Sequence, residues 1–114
     1  MRIQIFVDGQ ESLLADVRSL VDEAVAQAGV GRAEIEVITV RSDDEAKAVR
    51  SLGAPTVRVD GFDVEYAERE PPETTSGARY YSTPDGWRRT PEVGVIVFAI
   101  REAQVRSSRR QAAT

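Results

Sequence analysis

The chain has 114 residues, which suits a single domain, and its sequence contains no cysteine and no histidine. Disulfide bonds, thiolate metal ligands and cysteine nucleophiles are therefore excluded, as are catalytic triads that require histidine. The net charge of −4 disfavours contact with a phosphate backbone, so we expect no nucleic acid partner.

The N-terminal region predicts a strand followed by a long helix. Apolar residues at positions 3, 5 and 7 indicate a short strand, which Asp8-Gly9 ends. Apolar residues then recur at steps of three and four over residues 11–28, the spacing of one helix face. Gly29 follows at the C-cap position, where a left-handed residue commonly ends a helix.

Neither a signal peptide nor a membrane-spanning segment is expected. Asp8 follows the first apolar stretch too soon for the apolar core of a signal peptide. The longest apolar run, residues 95–100, is far shorter than the roughly 20 residues of a spanning helix. We therefore expect a cytoplasmic protein without a membrane partner.

The next two elements are a strand and a short helix. Residues 34–40 are rich in β-branched side chains, which favours a strand. Ser42, followed three residues later by Glu45, has the form of a capping box and predicts a helix start. The acidic residues 43–45 suit a helix N-terminus, and they lack the ligand number and order of a calcium loop. We therefore expect no bound metal.

Two further strands and a long insertion follow. Residues 56–59 and 62–64 predict short strands joined by Asp60-Gly61, a pair typical of a tight hairpin. The predicted order to this point is β-α-β-α-β-β, with a right-handed first crossover between parallel strands. Residues 65–91 contain four prolines and predict a long irregular insertion, with a turn at 82–86.

The C-terminal region predicts a helix that begins at Thr90-Pro91-Glu92, where a capping residue precedes a proline. The β-branched run 95–97 leaves a strand as an alternative. Because its apolar residues lie on more than one side, such a helix requires cover on both sides. Either the insertion covers it, or a second copy of the chain does so in a homodimer through residues 93–105. The tail 106–114 is expected to be disordered.

Three segments of the chain match a family pattern in the family's order. The middle segment is the most specific, because its turn, proline, β-branched strand and hairpin all agree. The three segments are Asp8-Gly9, Leu52-Gly53-Ala54-Pro55-Thr56-Val57-Arg58-Val59-Asp60-Gly61, and Gly77-Ala78-Arg79-Tyr80-Tyr81 followed by Thr83-Pro84-Asp85-Gly86. Together they resemble the pattern of a group of small bacterial thioredoxin-like proteins of the thioredoxin/glutaredoxin superfamily.

The resemblance implies a thioredoxin-like α/β fold of order β-α-β-α-β-β-α over residues 1–105, with a mixed four-stranded sheet flanked by helices. It also implies a cis peptide bond between Ala54 and Pro55. Gln10 and Ala78 occupy the two thiol positions of the family, so the family's redox activity does not carry over. We assign no cofactor and no catalytic residue.

A binding cleft is the functional hypothesis that follows from the resemblance. The family contacts substrates beside the proline, where the backbone of Ala54 would be free to pair with an extended peptide. We therefore predict a non-redox module that binds a protein or peptide partner near Gln10 and Pro55. The candidate cleft residues are Asp8, Gln10, Ala54, Pro55, Thr56, Ala78, Arg79 and Tyr80.

Two other functions are open at this point. The chain could be a structural homodimer or a subunit of a larger complex. It could also be a thiol-independent enzyme, although no spacing requires its candidate groups to lie together. The groups that could act as acid, base or anion clamp are Asp8, Arg58, Tyr80 and Tyr81.

The insertion also carries aromatic and basic side chains with two interpretations each. Its aromatic residues could form a binding surface or could fasten the insertion to the sheet: Tyr80, Tyr81 and Trp87. Its arginines are expected to be solvated, with the binding of a carboxylate or phosphate as the alternative: Arg79, Arg88 and Arg89.

Overall fold

The computed structural model describes residues 1–112, within which the chain forms three helices and eight strands. Among these helices, none in the described residues has the length and hydropathy that crossing a bilayer requires. In chain order the elements are β1 (Arg2–Val7), α1 (Glu11–Ala28), β2 (Glu34–Thr39), α2 (Asp43–Val49), β3 (Leu52–Ala54), β4 (Thr56–Val59), β5 (Phe62–Asp63), β6 (Thr75–Ala78), β7 (Tyr81–Thr83), β8 (Gly86–Arg88) and α3 (Val93–Ala112).

Four strands form the main sheet in the order β2-β1-β4-β5. β1 is parallel to β2, with Ile3 opposite Ile35, and antiparallel to β4, with Ile5 opposite Val57. β5 pairs antiparallel with β4 at the edge of the sheet. The predicted α/β class, with a mixed four-stranded sheet and three helices, is therefore confirmed.

The side chains of β1 point to two separate layers of the core. Ile3, Ile5 and Val7 pack in a layer that includes α1 and α3. Phe6 packs with Ala46 of α2 in a second, smaller cluster. Because neighbouring strand residues point to opposite faces, α1 and α3 cover one face of the sheet and α2 covers the other. The buried residues of the two long helices are Leu13, Val17, Val21, Ala24, Ile96, Val97, Ile100 and Ala103.

Local signals set the ends of several elements as predicted. Gly29 is left-handed at the C-cap of α1, with a φ of 69°. Ser42 Oγ accepts a hydrogen bond from the backbone N–H of Glu45 at the start of α2. The Glu45 carboxylate in turn accepts from the backbone N–H of Arg41. Asp60-Gly61 has positive φ at both positions, as a type I′ turn between β4 and β5 requires.

The segment predicted as a long irregular insertion contains three short strands. β6 pairs in parallel with β3, and β7 pairs antiparallel with β8 across the predicted turn at 82–86. No residue of β6 is buried, so no apolar alternation marks it in the sequence. Tertiary contacts hold it instead: the backbone N–H and the hydroxyl of Ser76 both donate to Asp43 Oδ1, at 3.1 and 2.7 Å.

α3 differs from the predicted C-terminal helix in its length. It is helical through 95–97, so the strand alternative is wrong. It also continues through 106–112, part of the expected disordered tail, while residues 113–114 lie outside the described residues. Arg106 attaches the beginning of this extension, because its guanidinium stacks 3.8 Å from the ring centroid of Phe62.

We predict that Gly53→Ala strongly destabilises the fold. Gly53 has a φ of 114°, and a Cβ atom there would lie 2.9 Å from Arg79 Cβ and 3.0 Å from the Gly77 carbonyl oxygen. Both the backbone conformation and the close approach oppose a side chain, so we expect a loss of about 2 kcal/mol or more. The midpoint and slope of urea denaturation measure this loss.

Gly94→Ala is the matched control, because Gly94 lies in α3 and the methyl group of an alanine there would have no neighbouring atom within 4 Å. Alanine favours a helix over glycine, so this change should be neutral or stabilising by less than about 1 kcal/mol. Equal denaturation midpoints for the two variants would contradict the assignment of close packing at Gly53.

Candidate functional site

The residues of the predicted cleft gather around the end of β1 and the corner between β3 and β4. Asp8 Oδ1 accepts from the backbone N–H of Gln10 at 3.1 Å, and Asp8 Oδ2 accepts from Gln10 Nε2 at 3.3 Å. Arg89 Nη2 donates to the Ala54 carbonyl oxygen at 3.0 Å and lies 3.9 Å from Asp8 Oδ2. Arg89 therefore joins two parts of the site that are distant in the sequence.

The Ala54 carbonyl is occupied by the chain itself. The backbone N–H of Arg79 donates to it at 2.9 Å, and Ala54 is the register partner of Ala78 in the β3–β6 pair. Arg89 supplies a second donor to the same oxygen. The expectation that this backbone group is free to pair with an extended peptide is therefore wrong. The Ala54–Pro55 peptide bond beside it is cis.

Arg79 is buried, and the expectation of a solvated side chain is wrong. Its Nη1 and Nη2 atoms donate to Asp63 Oδ1 and Oδ2 at 2.6 and 2.8 Å, and both side chains are at most 5% exposed. Burial acts to lower the pKa of the Arg79 guanidinium, but the hydrogen bonds to Asp63 and nearby negative charge raise that pKa above its ordinary value. Arg79 is thus a charged structural residue rather than a wall of an open cleft.

The same ion pair orders the chain after β5. Asp63 Oδ2 also accepts from the backbone N–H groups of Glu65 and Tyr66, both at 3.0 Å. The Glu65 carboxylate lies 3.4 Å from Arg79 Nη2. Because both oxygens of Asp63 have donors, its buried charge is compensated.

Tyr81 and Thr56 hold the Pro55 corner from two sides. The buried Tyr81 hydroxyl donates to the Pro55 carbonyl oxygen at 2.7 Å, and Arg79 stacks 4.3 Å from its ring centroid. The buried Thr56 hydroxyl donates to the Gly53 carbonyl oxygen at 2.6 Å. Tyr81 therefore fastens the insertion to the sheet, which was one of its two predicted roles.

Tyr80 and Trp87 instead face solvent. Their exposed fractions are 53% and 72%, and Arg89 lies 5.8 Å from the Tyr80 ring centroid. Ser82 is the register partner of Trp87 in the β7–β8 pair, so strand alternation places both on the face opposite Tyr81. We call the surface formed by Asp8, Gln10, Tyr80, Trp87 and Arg89 the hairpin surface.

The position of Arg89 was not predictable, since nothing near it in the sequence marks its contact with Ala54. Its Nε atom is buried and has no hydrogen-bond partner in the part of the chain that the structure describes. A carboxylate that reaches this guanidinium would be a charge-assisted acceptor.

The candidate groups of a thiol-independent enzyme do not converge. Arg58 is buried, pairs with Glu70 at 2.9 Å and donates to the carbonyls of Val49 and Arg50 at the end of α2. Tyr81 is committed to Pro55. Within residues 1–112, no group of three or more histidine, cysteine, aspartate or glutamate side chains is arranged to hold a metal ion.

We predict that Asp63→Asn destabilises the protein by about 3–5 kcal/mol, because it leaves the Arg79 charge buried without its partner. The double variant Asp63→Asn with Arg79→Met removes both charges and should be more stable than the single variant. Asp43→Asn, which weakens the exposed contact to Ser76, should have a much smaller effect. Urea denaturation followed by circular dichroism compares the three, and a single variant no worse than Asp43→Asn contradicts the prediction.

Stability should fall in alkaline solution because of Tyr81. Burial raises the pKa of the Tyr81 hydroxyl above its ordinary value of about 10. Folding therefore favours the neutral Tyr81 hydroxyl. The stability that this preference contributes is complete below about pH 10 and is lost as the pH rises further. We expect the free energy of unfolding to fall by up to about 1.4 kcal/mol per pH unit there.

Tyr81→Phe should remove this part of the alkaline loss, whereas the exposed Tyr80→Phe should keep it. Denaturation series between about pH 8 and 11 in all three proteins provide the measurement. If the free energy of unfolding depends on pH in the same way in the wild type and in Tyr81→Phe, the prediction of a raised Tyr81 pKa is contradicted.

The chain was also compared with known proteins. Comparison with protein families, with curated proteins and with solved structures finds no match.

Proposed function

We propose that this chain is a thioredoxin-like domain without redox chemistry, which binds an extended segment of a partner protein at the hairpin surface. The sheet order β2-β1-β4-β5 supports the fold assignment, together with α1 and α3 on one face and α2 on the other. The contacts of Arg89 with the Ala54 carbonyl oxygen and with Asp8 support a site between the Pro55 corner and the start of α1.

The proposed role is binding because the positions of the family's thiols carry no reactive group. Gln10 stands at the N-cap of α1, and Ala78 ends β6. Neither side chain ionises or acts as a nucleophile, so the positive end of the helix dipole has no thiolate to stabilise. What the site retains is its shape and its polar groups.

The observation that carries the proposal is the exposure of Trp87 and of Tyr80, whose ring centroid lies 5.8 Å from Arg89. Tryptophan, tyrosine and arginine are the residue types that dominate binding energy at protein interfaces. Trp87 is the only tryptophan of the chain, and 72% of it is exposed on a three-residue strand. An aromatic side chain of this size loses much of its contact with water when a partner covers it.

The free edge of β8 suggests how the partner binds. β8 pairs only with β7 in a two-stranded sheet within the described residues, and all three of its residues are exposed. An extended segment can add to such an edge through backbone hydrogen bonds, while side-chain contacts select the sequence. We propose a segment with an apolar side chain over Trp87 and a carboxylate that reaches Arg89.

Selection from a random peptide library displayed on phage, with the full chain immobilised, tests the proposal. Selected peptides should be enriched in acidic and apolar residues and should change the fluorescence of Trp87 in solution. Trp87→Ala should weaken binding at least tenfold, which corresponds to about 1.4 kcal/mol. Isothermal titration calorimetry with one selected peptide measures this change.

Phe98→Ala is the matched control, since Phe98 is a similarly exposed aromatic residue on α3, outside the hairpin surface. It should bind the selected peptide with wild-type affinity. Failure to enrich any peptide, or equal losses in Trp87→Ala and Phe98→Ala, contradicts binding at the hairpin surface.

A further inference from the structure

Exposed residues form a continuous stripe along the outward face of α3. Phe98 is 65% exposed and Val105 is 42% exposed, seven residues apart on this helix. With 3.6 residues per turn, residues at steps of four and three fall along one side of the helix. We call this side the α3 stripe; its members, all exposed, are Phe98, Glu102, Val105, Arg109 and Ala112.

The C-terminal part of α3 has little support from its own chain. None of residues 104–112 is buried, whereas Ile96, Ile100 and Ala103 on the preceding turns are. Arg106 contributes contacts at its beginning, since it stacks on Phe62 and lies 3.5 Å from the Glu68 carboxylate. A helical segment that buries little surface gains little stability from packing, so contact with a partner along the stripe would stabilise it further.

We propose that this partner is a second copy of the chain, whose α3 packs antiparallel along the same stripe about a two-fold axis at Val105. The argument is charge complementarity. Glu102 and Arg109 stand three residues before and four residues after Val105, on one side of the helix. Neither forms an ion pair within the described residues. The axis places Glu102 of each copy beside Arg109 of the other, so the dimer would contain two Glu102–Arg109 ion pairs.

The same axis matches the apolar members of the stripe. Val105 of one copy meets Val105 of the other at the axis, and Phe98 of each lies beside Ala112 of the other. Each exposed C-terminal end is thereby covered by the better-supported part of its partner's helix. A C2 contact of this kind uses one surface patch on both copies.

The contact is small, so the dimer should be weak. The helices overlap over 15 residues, from Phe98 to Ala112, which is about 22 Å at 1.5 Å per residue. One pair of helices in contact over this length buries less surface than an obligate dimer usually does. We therefore expect a dissociation constant in the micromolar range or above. The hairpin surface is not involved, so the dimer does not depend on the proposed peptide binding.

Sedimentation velocity of the full chain between about 5 μM and 1 mM tests the dimer. The mass should rise with concentration from the monomer value of 12.5 kDa towards twice that value. Val105→Glu should raise the dissociation constant at least tenfold, while Trp87→Ala should leave it unchanged. A wild-type chain that stays monomeric to 1 mM, or equal effects of the two substitutions, overturns the proposal.

Charge reversal distinguishes the proposed register from a general apolar contact. Glu102→Arg places two arginines together, and Arg109→Glu places two glutamates together, so each single variant should dissociate at least threefold more readily. The double variant Glu102→Arg with Arg109→Glu restores both pairs and should regain dimerisation. Circular dichroism confirms that each variant is folded, and a double variant no better than the singles overturns the antiparallel arrangement.

Discussion

The ion pair between Arg79 and Asp63 attaches the C-terminal half of the insertion to the main sheet, and the site depends on this attachment. Both side chains are almost completely buried, a position that is costly for a charge unless it is fully compensated. Arg79 occupies both oxygens of Asp63, and two backbone N–H groups complete the arrangement. The segment that carries β6 has few apolar side chains of its own, so this pair and Tyr81 provide the contacts that hydrophobic burial supplies elsewhere.

This attachment decides what the corner at Pro55 can do. With Arg79 held in place, its backbone N–H donates to Ala54, and β6 covers the edge that a partner peptide would need. A partner peptide therefore cannot pair with the Ala54 backbone and would have to contact exposed side chains instead. Arg89 reaches the same corner and its side chain is 31% exposed, while Trp87, two residues before it, is exposed on the β7–β8 hairpin.

The predictable parts of the fold are those whose cause lies within a few residues. The apolar period of α1, the capping serine Ser42 and the turn Asp60-Gly61 each act locally, and each predicted an element that is present. β6 was not predictable, because its four polar and small residues bury nothing and pair only with a strand more than 20 residues away. The extension of α3 beyond residue 105 was missed for a related reason, since none of its described residues is buried and no apolar face marks it in the sequence.

The sequence by itself determined which chemistries are closed to this protein. A chain without cysteine or histidine lacks thiolate and imidazole groups in any conformation, so this exclusion does not depend on the fold. Only the tertiary structure decided which arginines are buried and which backbone groups are free. Arg79 meets Asp63 across 16 residues and Arg89 meets Ala54 across 35. Contacts at such separations depend on the path of the whole chain, which local periodicity and capping signals do not encode.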